Sequence, residues 1–444
     1  MKLRLFTAIC MLLLCVAARA AEPVPVTGAP GASLRALEGT PTLVTVVLKG
    51  GAKDANLQIL EVHDRGITVL TSKGEPIPYL YDSIAEIQVQ GGEIQKREIQ
   101  VKSDVLPAPA QEVVDRALAR CQEIFSGSAA DQETKIEAAT VLAAADNQDA
   151  AAYLNQLLES NDLQAQMDAA RALYLAGLEV PQRVIQRGLE SGVRKIRGTA
   201  SLLAGELNLS TYLPMLKTMM QDRTPEISGP AARAVARLGD REAVPYLLTM
   251  LGSRDEIKGD AAVWALAQLN PPGLGEQLRV RLQKAEGMER FRIVLVLHAI
   301  KDPDGRKLLM GIFRDVPTLS FDAALILASE DKEWEALEYL RGRLNRREDE
   351  TETNLVNRAR TAAALLSSGD PQAKAAFQEL LRSDMLAVKR AVYNGIIAAG
   401  DHRLLTIVRV GIEATDARAA MAASKAAAAI GYPRFRERLL SLPL

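Results

Sequence analysis

The sequence predicts a mainly α chain: an α-α superhelix of stacked helical hairpins preceded by a small all-β domain. Three observations carry that expectation. A motif of paired small residues followed by leucine returns about every 31 residues from position 138 onward. Five short β-rich runs separated by turn residues fall within the first hundred positions, and two prolines mark the change between the regimes. A period in that range means supersecondary units that cannot bury their own apolar face and are covered by their neighbours.

In chain order, the first twenty residues set Lys2 and Arg4 ahead of an apolar run from Leu5 to Ala18, then Ala18-Arg19-Ala20 as a small-x-small site before Ala21. Charge, length and cleavage chemistry are those of a secretory signal peptide over 1–20, and the run is short for a membrane span. The expectation is an exported protein, periplasmic or secreted, with no transmembrane anchor after cleavage. Leu14 before Cys15 and Ile9 before Cys10 make no lipoprotein cleavage box. Losing Lys2, Arg4 and Arg19 takes 54 basic residues to 51 against 55 acidic ones, a net charge of −4. Bulk attraction to nucleic acid or anionic lipid is therefore not expected. Cys121 is the only cysteine left, so no internal disulfide is expected. It lies in line with Val114, Leu118 and Phe125 on a helical stripe and reads as buried filler.

Residues 21–35, rich in Pro, Gly and Ala, read as a flexible leader. Within 36–100, runs at Leu43–Leu48, Leu57–Val62, Ile67–Leu70, Ile77–Leu80 and Ile84–Val89 are separated by Gly50-Gly51, Asp64-Arg65-Gly66 and Lys73-Gly74. Five short strands with glycine turns suggest a strongly bent barrel. The stretch Val44-Thr45-Val46-Val47-Leu48-Lys49-Gly50-Gly51, with Leu57–Val62, Ile67–Leu70 and Ile84–Ile87, resembles the Sm-like fold. That resemblance implies docking or ring assembly, so an oligomer through the barrel. Where RNA-binding members place Asp and Asn after the second strand, this chain has His63-Asp64-Arg65-Gly66, which departs from the pattern RNA binding would need.

Residues 101–110 form a linker in which Pro107 and Pro109 interrupt any helix. The solenoid is expected over 111–444, opening with a helix from about Gln111 to Phe125 as its N-terminal cap. Its copies are Ala138-Ala139 with Leu142, Ala169-Ala170 with Leu173, Ala200 with Leu203, Ala231-Ala232 with Leu238 and Ala261-Ala262 with Leu266. A weaker copy at Ile293 to Leu297 precedes Ala323-Ala324 with Leu327, Ala362-Ala363 with Leu366, Ala391 with Ile396, and Ala422-Ala423 with Ile430. That makes about ten units of two helices each. Leu238-Gly239-Asp240 ends one helix and supplies an acidic start to the next; Gly369-Asp370 and Gly400-Asp401 repeat it, with Gly177, Gly205 and Gly431 as partial echoes. Pro181, Pro303 and Pro371 stand near first-helix starts.

Asp240 through Leu251 with Asp260-Ala261-Ala262-Val263-Trp264-Ala265-Leu266, and Arg390-Ala391 later, resemble the HEAT repeat family in the short bacterial form named for phycocyanobilin lyases. The resemblance implies an armadillo-type fold and says little of activity. Between Ala324 and Ala363 the spacing widens to 39, with the excess at 341–360 around Arg346-Arg347-Glu348-Asp349-Glu350, which reads as a solvated charged loop.

His63, His298 and His402 lack metal-ligand spacing, and His298 reads as a satisfied packing residue. No phosphate loop, dinucleotide fingerprint or nucleophile elbow occurs; Gly273-Leu274-Gly275 is a turn. No catalytic residue, cofactor or metal is expected, and the chain does not read as an enzyme. The positive signal is a basic residue ahead of the small pair on the second helices: Lys135, Lys195, Arg197, Lys258, Arg290, Arg292, Arg358, Arg360, Lys389, Arg390 and Arg418. Two readings fit: a ladder to acids of neighbouring units, with Asp131, Asp222, Asp255 and Asp384 at hand, or a track for an acidic polymer or peptide. Trp264 reads as core; for Trp334 packing is preferred over a surface anchor. The functional expectation is a non-catalytic exported scaffold whose groove binds a protein or peptide partner in the cell envelope. A polyanion or nucleic-acid binder and a chromophore-lyase-like enzyme compete with it; the acidic net charge argues against the first and export against the second.

Overall fold

The structure is a computed structural model describing residues 43–48, 53–63, 66–70, 76–80, 84–89, 106–345 and 351–442. Its contacts divide the chain into two units, one of residues 20–105 and one carrying Leu106–Leu444. The expected leader sequences lie outside the described residues.

In the first unit, β1 (Leu43–Leu48), β2 (Lys53–His63), β3 (Gly66–Leu70), β4 (Pro76–Leu80) and β5 (Ile84–Val89) form one antiparallel sheet in the order β4-β3-β2-β1-β5. Each expected run meets a strand, and β2 starts four residues earlier than its apolar run. Register shifts between Val44 and Val46, Ile59 and Glu61, and Val47 and Leu48 interrupt three of the ladders, and such bulges bend a strand and raise its twist. Val46, Leu57 and Val69 are buried.

The second unit is helical: α1 (Ala108–Ser126), α2 (Gln132–Ala144), α3 (Gln148–Leu158), α4 (Leu163–Ala176), α5 (Gln182–Leu189), α6 (Arg194–Glu206), α7 (Leu213–Met220), α8 (Pro225–Arg237), α9 (Val244–Met250), α10 (Glu256–Leu269), α11 (Leu274–Leu282), α12 (Gly287–Ala299), α13 (Gly305–Asp315), α14 (Ser320–Ser329), α15 (Trp334–Asn345), α16 (Glu352–Ser367), α17 (Pro371–Leu380), α18 (Leu386–Ala399), α19 (Leu405–Ile412), α20 (Ala417–Gly431) and α21 (Pro433–Ser441). Every copy of the repeat falls on an even-numbered helix, making a HEAT-like array of helix pairs. Ala138, Ala139, Ala169, Ala170, Ala231, Ala232, Ala323 and Ala324 are all inaccessible to solvent. Small side chains there let one even helix lie close against the next; a Cβ on Gly205 of α6 would stand 2.7 Å from the Cα of Ala234 of α8.

Nine of the ten even helices, all but α20, end in a left-handed residue: Gly177, Gly239, Gly369 and Gly400, but also Asp146, Asn208, Asn270, Lys301 and Lys332. Asp240, Asp370 and Asp401 then cap the next helix through their side chains. Gly205 and Gly431 are not such terminators. They are packing glycines inside α6 and α20, and Asn208 takes the left-handed position that Gly205 was expected to fill.

The array does not remain the open trough expected from its repeats. α20 packs on both α1 and α2, α19 packs on α1, and α21 reaches α4, so the two ends of the helical unit meet. Gly431 lies against Val114, Cys121 packs against Met421 with sulfurs 3.9 Å apart, and Arg120 donates to the carbonyl of Ala414. Ion pairs Asp131–Arg418 and Glu413–Arg116 stitch the rim of this seam at 2.7 and 3.2 Å. α1 is therefore the seam helix, not a cap. Pro107 and Pro109 start it, at the N-cap and second position, where a missing N–H costs nothing. The expected loop at 341–360 is mostly helix: Arg341–Asn345 closes α15 and Glu352–Arg360 opens α16, with 346–350 outside the described residues. Trp334 is 63 % exposed under the guanidinium of Arg341, not packed in the core.

Two outcomes test this packing. Lys332→Gly should raise stability by up to about 1 kcal/mol, because it relieves a left-handed lysine, read by the denaturation midpoint. Gly431→Val should drive α20 off α1, lower the Tm and make Cys121 reactive to thiol reagents under native conditions. The wild-type thiol is inert in this arrangement because burial pushes its pKa up to about 12. Unchanged protection of Cys121 in that variant would exclude the seam.

Candidate functional site: the lumen of the helical ring and its two mouths

Because every even helix runs the same way, their N-termini gather at one mouth of the ring and their C-termini at the other. The C-terminal mouth is crossed by α21. Arg436 donates from Nε to the carbonyl of Ile397 and from Nη2 to that of Ala398, both at 2.6 Å, satisfying the end of α18. Arg438 lies against Gly177 at the end of α4 and 5.9 Å from the Tyr174 ring centroid. The Tyr174 hydroxyl donates to Oε2 of Glu206 at 2.8 Å and lies 3.1 Å from Ser441 Oγ. Arg237 donates to Oε1 of Glu206 from Nε at 2.8 Å and approaches it with Nη2 at 2.7 Å, and the Arg237 and Arg233 guanidinia lie 5.1 and 5.5 Å from the Trp264 ring centroid. Burial, with Glu206 beside it, pushes the Tyr174 phenol up to about 12. What remains between Leu202, Glu206, Arg233, Ala234, Arg237, Trp264 and Ser441 is a cavity of about 10 Å³, room for one water. Trp264 is core, as expected.

At the N-terminal mouth, Asp131, Asp162, Asp255, Thr351 and Asp416 cap their helices by accepting from backbone N–H groups. The eleven basic residues of the sequence reading divide here. Lys258 donates to the carbonyl of Asp222 at 2.7 Å and Arg290 to that of Leu282 at 3.2 Å. Arg358 pairs with Glu379 at 3.1 Å, Arg360 with Asp322 at 2.9 Å and Arg418 with Asp131 at 2.7 Å. Arg292, 1 % exposed, donates to the carbonyls of Leu251, Ser253 and Asp255 at 3.1, 2.5 and 3.4 Å. Only Gly259 leaves it room, since a Cβ there would stand 1.9 Å from its Cζ. These six hold neighbouring elements together, three through carbonyls of a preceding turn and three through carboxylates of neighbouring elements. Asp131 serves as an ion-pair partner, while Asp222 and Asp255 offer backbone oxygens to Lys258 and Arg292. Hydrogen bonds from Thr224, helped by the charges of Arg197 and Lys258, hold the Asp222 carboxyl below its usual range. Lys135, Lys195, Arg197, Lys389 and Arg390 make no side-chain hydrogen bond or ion pair among the described residues, and Nε of Arg197 is buried without a partner.

Between the mouths, Lys425 of α20 faces Glu137 of α2 at 3.7 Å across the seam. Lys425 keeps 22 % of its side-chain surface exposed. Burial lowers its proton affinity, Glu137 opposes that, and the guanidinia of Arg171 and Arg390 add to it. Arg171 of α4 is likewise lowered by burial, against Asp168 and Glu137. Asp168 accepts from Gln164 at 2.9 Å. Arg171, Lys425, Glu137 and Asp168 escaped the sequence reading. The available signal was a charge embedded in the small-residue motif: Asp168 and Arg171 flank Ala169-Ala170, and Glu137 and Lys425 lie within two residues of such a pair.

The step from α12 to α14 is built differently. They make little direct contact and α13 packs on both. His298, buried as expected, lies with Nε2 2.7 Å from Oδ2 of Asp331 and Nδ1 3.6 Å from Glu330, which burial pushes up in pKa. Among the described residues no group of three or more His, Cys, Asp or Glu is placed to hold a metal ion, and no helix is long and apolar enough to cross a membrane.

No known protein-family profile and no curated sequence matches this chain. Among solved structures, human deoxyhypusine hydroxylase in complex with glycerol aligns at 18 % identity over 58 % of this chain and 97 % of its own, with a TM-score of 0.29. An engineered protein aligns at 19 % identity over 71 % and 98 %, with a TM-score of 0.26. Likenesses of that size leave the architecture to rest on the chain's own helices and contacts.

The Arg292 step has a pH signature. Asp260 is 3 % exposed and 3.7 Å from the guanidinium; burial raises its pKa to about 7, with Arg292 opposing the rise. The folded chain thus holds a proton that the unfolded chain releases near pH 4. Stability from this group is full below that value and falls as pH rises through about 7, by on the order of 1 kcal/mol per unit. Glu330 acts in the same direction. Asp260→Asn is expected to flatten the fall in Tm between pH 5 and 8, and an unchanged slope would refute the assignment.

Proposed function

We propose that the chain is a non-catalytic, exported binding scaffold whose helical ring engages a protein or peptide partner in the cell envelope, with the N-terminal sheet closing into an Sm-like barrel that docks or oligomerises. The chemistry of the lumen supports binding most directly. A ring that only had to be stable would fill its interior with the alanine and leucine of its walls. This one keeps Glu137, Asp168, Arg171 and Lys425 there, partly accessible and not fully paired, a cost in desolvation that a bound partner can offset. Export rests on the charged, apolar and small-residue order of residues 1–20, and gives a periplasmic address in a host with two membranes. Polyanion binding is the second reading, favoured by the unpaired basic residues at the N-terminal mouth and opposed by the chain's net charge of −1.

Affinity capture from an envelope fraction with the full chain as bait, followed by mass spectrometry, is expected to recover a stoichiometric protein whose retention drops with Arg171→Glu and Lys425→Glu. Recovery of background alone, or visible tetrapyrrole absorbance in the purified protein, would overturn the scaffold. Fractionation should place the protein outside the cytoplasm with Ala21 as its first residue.

A further inference from the structure

We infer that one half of the N-terminal mouth binds an acidic peptide segment, an inference that deepens the scaffold reading and rests on it. The closed ring decides where unspent positive charge collects. Of the basic residues on the even helices of one half, α8, α10, α12, α14 and α16, Lys258, Arg290, Arg292, Arg358 and Arg360 are tied to carbonyls or carboxylates. On the other half, α18, α20, α2, α4 and α6 carry Lys389, Arg390, Lys425, Lys135, Arg171, Arg194, Lys195 and Arg197. Of these, only Lys425 has a carboxylate within 4 Å among the described residues, and that contact is long at 3.7 Å. Arg418 is the exception on this half, spent on Asp131 across the seam. These eight cations span positions 135 to 425 and form one arc only because α20 packs on α2.

The acids on the same arc are fewer. Asp131, Asp162 and Asp416 are occupied as helix caps, and Asp168 by Gln164. Glu206 at the far end of α6 is taken by Arg237, and Glu133, Glu137 and Asp384 remain. Of the even helices on this arc, α6 and α18 start without a side-chain cap, and their N-terminal N–H groups add positive potential to the same mouth. A concave, low-dielectric wall focuses such a field on an anion.

A peptide fits this arc better than a nucleic acid. Sequence-independent nucleic-acid binding leans on aromatic platforms for bases, and the tyrosines of these helices are elsewhere: Tyr174 at the opposite mouth and Tyr393 buried. Glu133 and Glu137 are interleaved with the cations. A flexible acidic side chain can avoid them, whereas a phosphate at every nucleotide cannot.

Fluorescein-labelled octaglutamate, titrated into the full chain by anisotropy, is expected to bind, and to bind at least tenfold more weakly at 150 mM than at 20 mM salt. Lys135→Glu, Lys389→Glu and Arg390→Glu together should abolish that binding with the Tm unchanged. Reversal of the exposed outer-helix residues Lys307, Lys374 and Arg409 should not weaken it by more than the shared change in net charge does. If the mouth variant melts early, the three single glutamine variants give the same reading, each expected to weaken binding. No binding of octaglutamate, equal loss in both triple variants, or tighter binding of an oligothymidylate of equal charge would overturn the inference. A captured envelope partner that binds the mouth variant as well as the parent would overturn it too, while leaving the scaffold intact.

Discussion

Close approach of successive even helices is the constraint on which the helical unit depends. Alanine pairs buried to zero exposure, with Gly205 where α6 meets α8, bring neighbouring even helices into close contact at every step but that from α12 to α14. Bulkier residues at those positions would open the spacing and change the turn per repeat. The repetition of small residues is thus a specification of curvature, and with ten copies the curvature returns the chain to its start. Cys121 against Met421, and Gly431 against Val114, are where that return is completed.

Arginine does the joining wherever helix packing alone leaves polar backbone exposed. Arg292 serves three carbonyls of the preceding turn, and Arg436 serves two at the end of α18. A planar fork with several donors can satisfy groups that no helix–helix contact reaches. Where α12 and α14 fail to pack, a buried histidine facing two carboxylates takes the same part. Basic residues in this ring are therefore of two kinds, those consumed by the architecture and those left to face solvent.

Much of the helical unit was legible because its signals are local. All ten copies lie on even helices, and Gly239-Asp240, Gly369-Asp370 and Gly400-Asp401 end and start helices as read. The strand runs were legible for the same reason, since their alternation and glycine turns are short-range. What escaped depended on partners distant in sequence. Asp146, Asn208, Asn270, Lys301 and Lys332 adopt the left-handed turn without announcing it, because only glycine signals that freedom by type. Arg171 and Lys425 look like surface charges until closure sets α4 and α20 around a common interior, and which of the eleven basic residues are spent cannot be told without knowing which carbonyls lie opposite. Trp334, expected inside, is exposed because the helix it opens turns that face outward.

The meeting of α1 with α19 and α20 has a topological consequence. The helical unit has no terminal repeat in space: apart from α21, which crosses a mouth, its first and last helix pairs occupy places no different in kind from any other pair. Its beginning could in principle be moved: joining the end of α21 to the start of α1 and cutting an outer turn elsewhere would retain every helix neighbour. Removing one pair is the opposite case, because a circle one pair short leaves a gap that no remaining helix can fill.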